Sequence, residues 1–174
     1  MDNTPRFGES YDWFFRNLKN ADETISLRPF IDLIEKAIND ALESDKYAFP
    51  LLPAIYYAHG EARKIAVENH FNDLASESGN GNLKIILNFI RDKKSKERVY
   101  QEMFKPEMVS LLKEIIDSNP KEMQVEQVDS LIYLLKVNGI ISEKFWNRGD
   151  LVYVFALLYK YYLGLRNKPK RKPS

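Results

Sequence analysis

Apolar residues between positions 30 and 42 recur at the spacing of an α-helix, and this repeat constrains the fold more than any other feature of the chain. They fall at i, i+3, i+4 and i+7, the spacing of one buried helical face, with charged and amide residues on the other side. Ser26 is placed to act as the N-cap, and Pro29 suits the first helical turn. The apolar positions are Phe30, Leu33, Ile34, Ala37, Ile38, Ala41 and Leu42.

The pattern of the first 118 residues is helical almost throughout. Further helices are predicted at about 11–18, 54–76, 83–90, 96–103 and 106–117. Gly79-Asn80-Gly81-Asn82 is expected to separate two of them, because glycine and asparagine favour turns. Pro106 suits the first turn of the last one. We therefore predict a helical bundle over residues 1–118.

A change of charge and a proline mark the end of that part. Residues 1–118 contain 16 Lys and Arg against 20 Asp and Glu, whereas residues 119–174 contain 10 against 5. The residue before a proline is pushed out of the helical conformation, so Asn119-Pro120 is expected to end the preceding helix. We place the boundary between two subdomains at this point.

The second part has a different pattern. Its first helical face, which ends at Asn138-Gly139, is marked by Val125, Val128, Leu131, Ile132 and Leu135. Two short strands, at 140–141 and 151–155, are expected to form a hairpin with a wide polar turn. A helix, a turn and a hairpin outline a winged helix, a variant of the helix-turn-helix. The predicted fold class is mainly α: a helical bundle, then a winged-helix-like subdomain with a small β-hairpin over 119–166, ending in a helix at 156–165. A basic tail follows at 167–174.

Composition and motifs argue against catalysis. The chain has no cysteine, which removes disulfides, thiolate metal sites and a cysteine nucleophile. It has no phosphate-binding loop, and no serine lies in a nucleophile-elbow setting. His59 and His70 would lie about 16 Å apart on a straight helix, too far to share a metal. We expect no catalytic residue, metal or cofactor, and hence no enzyme.

The sequence also favours a cytoplasmic protein without membrane contact. The N-terminal residues lack the apolar core of a signal peptide. The longest apolar run, Leu151 to Tyr159, is far shorter than the roughly 20 residues that span a bilayer.

Basic residues near the C-terminus raise the possibility of nucleic-acid binding. The predicted contacts to backbone phosphates are Lys144, Arg148, Arg166, Lys168, Lys170, Arg171 and Lys172. A solvated terminus is the alternative interpretation of the tail. The exposed side of the helix before the hairpin carries Glu126 and Asp129 against one base, Lys136. Acids placed there would be repelled by DNA phosphates, so this helix favours contact with a protein.

Two short segments resemble a known family. They are Ser26-Leu27-Arg28-Pro29-Phe30 and the closing Leu157 to Arg166. Together they resemble the C-terminal region of large bacterial P-loop ATPases of the AAA-like and STAND-like kind, where a helical lid precedes a winged helix. The resemblance implies that Arg28 matches a lid arginine that reaches the nucleotide's terminal phosphate. Alternatively, Arg28 is a surface residue that pairs with Asp32.

The resemblance and the missing phosphate loop together predict a non-catalytic module. Hydrolysis cannot be assigned to these residues, so the chain is expected to be either the C-terminal part of an ATPase or a free-standing module. We expect it to dock onto an ATPase core or another protein as an interaction or regulatory module. Nucleic-acid binding through the wing and the tail is the alternative.

Overall fold

Helices account for most of the computed structural model, which describes residues 10–44, 57, 61–77, 79–93, 97–125, 127–146 and 149–167. Seven helices and three strands lie within these residues. In chain order they are α1 (Ser10–Asn17), α2 (Leu27–Glu43), α3 (Glu61–Ser76), α4 (Gly81–Asp92), β1 (Glu102–Phe104), α5 (Lys105–Ser118), α6 (Val128–Val137), β2 (Ile141–Phe145), β3 (Leu151–Phe155) and α7 (Leu157–Lys160). The predicted mainly helical fold with a small β-sheet is confirmed. No described helix is long and apolar enough to cross a membrane.

The helix predicted from the repeat at 30–42 is confirmed as α2. Ser26, which precedes it, is extended, with φ −79° and ψ 129°, but its side chain makes no capping hydrogen bond. Leu33, Ala37 and Ala41 are buried as expected. The prediction of a fully buried face is wrong in part, because Phe30, Ile38 and Leu42 are exposed.

The three strands form one antiparallel sheet in the order β1-β3-β2. The predicted hairpin is confirmed as β2 and β3, with Ile141 opposite Phe155 and Phe145 opposite Leu151, but β2 extends to Phe145, whereas the first strand was predicted at 140–141 only. The helix predicted at 96–103 is wrong: residues 98–101 are not helical, and β1 at its C-terminal end pairs with the other side of β3. Met103 is buried opposite Tyr153 there, so tertiary pairing overrides the local pattern.

The strand β1 leads directly into α5. The Glu107 carboxylate accepts a hydrogen bond of 2.7 Å from the Phe104 N–H, and Pro106 lies in the first turn, as predicted. A single hydrophobic cluster includes Phe71 and Ile86 from before Asn119-Pro120 and Tyr159 from after it. The sheet likewise takes strands from both sides of that turn. The division of the chain at this position stays a prediction.

The closing helix is shorter than the predicted range of 156–165. After α7 the chain continues in turns to Gly164, and the Leu165 N–H donates to the Lys160 carbonyl over 2.9 Å. The backbone then returns to the segment before β1: Arg166 N–H donates to Val99, and Gln101 N–H donates to Arg166. These two hydrogen bonds draw residues 165–166 away from the helix axis.

Candidate functional site

The helix α6 presents one buried side and one exposed side. Leu131, Ile132 and Leu135 are buried in the hydrophobic core. The exposed side is therefore formed by Asp129, Ser130, Tyr133, Lys136 and Val137, of which only Lys136 is basic.

The end of α6 is fixed by a close approach to the loop between α1 and α2. Gly139 has φ +64°, and a Cβ atom there would lie 2.9 Å from the Asn20 Cβ. The Ala21 N–H donates to the Gly139 carbonyl over 2.7 Å. Only glycine fits this position without strain, so the turn sets the direction in which β2 leaves the helix.

The hairpin lies beside α6 and is joined to it by an ion pair. Lys136 Nζ lies 2.9 Å from Glu143 Oε2. Phe145 shares its strand face with Glu143, and Tyr133 lies one turn from Lys136, so these two aromatic residues come to one side of the molecule. Trp146 follows at the hairpin tip, with its ring 5.8 Å from that of Phe104.

Exposed aromatic side chains lie close together in this part of the molecule. Tyr133 is 68% exposed, Phe145 69% and Trp146 46%. Tyr133, Phe145 and Val137, which is also exposed, form what we call the α6–hairpin surface, and Trp146 lies beyond its end, against Phe104. Its central charges, Lys136 and Glu143, neutralise each other. Beneath it, burial and the nearby Glu143 carboxylate raise the pKa of Tyr153.

No protein-family model, curated protein or solved structure matches this chain. The functional argument therefore depends on the geometry of the described residues.

Of the predicted phosphate-binding residues, the structure describes Lys144 and Arg166, and these two lie at opposite sides of the sheet. Lys144 is exposed on β2, at one edge of the sheet. Arg166 lies beyond the other edge, where its guanidinium is 5.6 Å from the centre of the Tyr100 ring. The remaining predicted contacts, Arg148, Lys168, Lys170, Arg171 and Lys172, lie outside the described residues.

Arg28 is held by two carboxylates at the start of α2. Its Nε donates to both Asp32 oxygens over 3.1 Å, and Nη1 lies 3.5 Å from Asp73 Oδ2. The hydrogen bond to Asp32, followed by the charges of Asp32 and Asp73, raises the pKa of Arg28. The guanidinium still has 57% of its side-chain surface exposed.

A mixed-charge groove that the sequence did not indicate runs between α4, the segment 97–100 and α5. It consists of two adjoining clefts of about 560 and 570 Å³. They meet at Lys93, which lies 2.7 Å from Glu114. Arg98 and Arg166 line the second cleft together with Glu97 and Glu107. Because cations and carboxylates alternate along its described lining, the groove has little net charge of either sign.

The sequence predicts that His59 and His70 do not share a metal ion. Of these two histidines the structure describes His70, whereas His59 lies outside the described residues. The His70 ring stacks on Tyr159 at 6.4 Å, and burial lowers its pKa. Among the described residues, no group of three or more His, Asp or Glu side chains could hold a metal ion.

A buried arginine is a second feature that the sequence did not indicate. Arg63, on α3, donates to Asn17 Oδ1 over 3.0 Å and to the Leu157 carbonyl over 3.2 Å. The Tyr161 ring centre lies 4.3 Å from the guanidinium and that of Trp13 5.4 Å from it. Burial lowers the pKa of Arg63 to about 10, so it stays charged at neutral pH. It connects α1, α3 and α7.

Proposed function

We propose that residues from α4 to β3 are a winged-helix unit that binds a protein through the α6–hairpin surface. A winged helix is a helix-turn-helix followed by a hairpin. The order helix, strand, helix, helix, strand, strand, with β3 at the centre of the sheet, supports this interpretation. In this proposal the unit begins near Gly81 and includes α5 as the first helix of the helix-turn-helix.

The observation that carries the proposal is the aromatic and charge-neutral character of the α6–hairpin surface. Exposed aromatic residues are enriched in protein interfaces, where they bury large areas at low entropic cost. Lys136, the single base on α6, is already paired with Glu143, and Asp129 would repel phosphates. The surface therefore suits a protein better than a nucleic acid.

The narrower form of the proposal names an ATPase core as the partner. The resemblance to ATPase C-terminal regions supports it, together with the exposure of Arg28 at the start of α2. In this form Arg28 exchanges its contacts with Asp32 and Asp73 for phosphate oxygens, which a guanidinium can hold in a bidentate manner. The chain itself contributes no catalytic residue.

Site-specific photo-crosslinking in cells tests the proposal. A photoreactive residue at position 133 or 145 should give the same discrete crosslinked protein, because both positions belong to one surface. The matched control is position 113, which is exposed on α5. Val137→Glu should abolish the crosslink by placing a charge in the interface. Failure to crosslink at both positions would contradict the proposal.

Two further measurements separate the alternatives. Duplex DNA binding at about 50 and 200 mM salt should be weak at both, whereas a steep loss between them would indicate several phosphate contacts. If the crosslinked protein contains a phosphate-binding loop, Arg28→Ala should lower its ATP hydrolysis. An unchanged rate would contradict the role assigned to Arg28. It would not contradict the proposal that the α6–hairpin surface binds a protein.

A further inference from the structure

The helix α2 carries a second apolar row beside the one that it buries. Leu27, Ile31, Ile34 and Ile38 follow one another at spacings of four, three and four residues, the heptad pattern of a helix–helix seam. Leu27 is 72% exposed, Ile31 55% and Ile38 44%, and Ile34 is half-buried. The core therefore covers only part of the apolar arc of this helix.

We propose that a second copy of this chain covers the row, with the two α2 helices packed antiparallel. In the register that fits the heptad pattern, Ile31 packs against Ile34 of the second copy, and Leu27 packs against Ile38 of the second copy. The two-fold symmetry repeats both contacts, as expected for a closed dimer with the same patch on both subunits. This surface is separate from the α6–hairpin surface, and the inference does not depend on the proposed function; it competes only with the narrower form, in which Arg28 contacts a nucleotide.

Charged residues beside the apolar row of α2 favour a second copy of this chain as the partner and an antiparallel orientation of the two helices. Arg28 and Glu35 flank the same side of the row, two helical turns apart. In the antiparallel register Arg28 faces Glu35 of the second copy, and the symmetry forms the pair twice. A parallel pair would instead place Glu35 opposite Phe30 and Arg28 opposite Glu23, which precedes the helix, so the two helices would form no ion pair between them. Charge complementarity therefore favours the antiparallel homodimer.

Arg28 and Glu35 can each form this additional ion pair with the second copy. Arg28 uses Nε for Asp32 and Nη1 for Asp73, and its second terminal nitrogen has no partner among the described residues. Glu35 is exposed and has no ion-pair partner within the described part of the chain.

The size of the contact sets the concentration range of the experiment. Because α2 has 17 residues, it is about 25 Å long, and a contact along one such helix lies at the low end of stable interfaces. Sedimentation equilibrium of the full chain between about 5 and 500 µM should therefore show a reversible monomer–dimer equilibrium. A monomer at every concentration would overturn the proposal.

Engineered disulfides test the orientation, since the chain has no cysteine of its own. Leu27→Cys mixed with Ile38→Cys should form a mixed disulfide, while each variant alone should remain unlinked. In the antiparallel register two copies of position 27 lie about 16 Å apart, well beyond the reach of a disulfide. Self-linking of Leu27→Cys would indicate a parallel pair and overturn the proposal.

Point substitutions test the seam. Ile31→Glu should weaken the dimer by at least about 100-fold, because it buries a charge in the contact. Asn39→Glu is the matched control, since position 39 is exposed on α2 away from the row and should leave the dimer unchanged. An Ile31→Glu variant that dimerises like the parent would contradict the assignment.

Charge reversal tests the ion pairs. Glu35→Arg should weaken the dimer by about tenfold, because two attractive pairs become repulsive. The double variant Arg28→Glu with Glu35→Arg should recover most of that loss, since the reversed charges again face each other. Thermal unfolding of each variant at low concentration monitors the monomer. A double variant weaker than the single one would overturn the predicted register.

Discussion

Arg63 shows at the residue scale how this fold keeps a charge in its interior. A buried cation loses hydration, and opposite charges or hydrogen bonds must compensate for that loss. Here Asn17, a backbone carbonyl and two aromatic rings surround the guanidinium. The side-chain partner is 46 residues away in sequence and the carbonyl 94, so no local pattern could reveal the arrangement.

His70 gives a prediction for the dependence of stability on pH. Because burial lowers its pKa in the folded protein, the unfolded chain binds a proton more readily. The free energy of unfolding should therefore be highest above the ordinary pKa of about 6.5 and decrease as the pH falls towards the lowered value. The slope from this group should not exceed about 1.4 kcal/mol per pH unit.

Chemical denaturation between about pH 7.5 and pH 5 measures the effect of this one group. His70→Gln should flatten the slope over that window, and His59→Gln, which changes the only other histidine, should leave it in place. A slope that persists unchanged in His70→Gln would show that other groups cause it.

At the scale of elements, Gly139 controls how α6 joins β2. Gly139→Ala should lower the free energy of unfolding by about 1–3 kcal/mol, since it adds a left-handed backbone penalty and a clash with Asn20. Gly149→Ala is the matched control: its φ is +78°, but a Cβ there would meet no atom of the described chain within 4 Å. Equal losses in the two variants would show that packing at Asn20 contributes nothing.

The elements predicted correctly are those whose signals are local. The periodicity of α2 and the turn residues between β2 and β3 are encoded within single segments. The strand β1 was missed because it has only three residues and its partner in β3 is about 50 residues away. The end of α7 was placed too late because residues 165–166 pair with the segment before β1.

The candidate surfaces also depend on contacts between residues that are distant in the sequence. The acidic character of the exposed α6 side could be predicted from spacing, but the pairing of Lys136 with Glu143 depends on where β2 returns. Periodicity shows which residues of α2 share an apolar face, but it does not show which elements pack against them. The exposed half of the α2 apolar arc could therefore not be distinguished from its buried half in the sequence. Two adjacent aromatic residues in a hairpin, Phe145 and Trp146, were the available signal for the α6–hairpin surface.

At the scale of the whole molecule, elements on both sides of Asn119-Pro120 depend on each other. The strand β3 is flanked by β1 from one side of that turn and by β2 from the other. Fragments 1–118 and 119–174 should therefore each lack cooperative thermal unfolding when prepared alone, because each would expose part of the core. Circular dichroism during heating measures this. A cooperative transition in either fragment would support independent subdomains.

The placement of the two tryptophans provides the molecule with separate optical reporters. Trp13 is buried beside Arg63, whereas Trp146 is at the hairpin tip, and the sequence contains no other tryptophan. A ligand that covers the hairpin would alter the emission and quenching of Trp146 alone. Loss of the native fold would expose Trp13 as well. With Trp146→Phe as the reference, docking and unfolding can be followed separately in unlabelled protein.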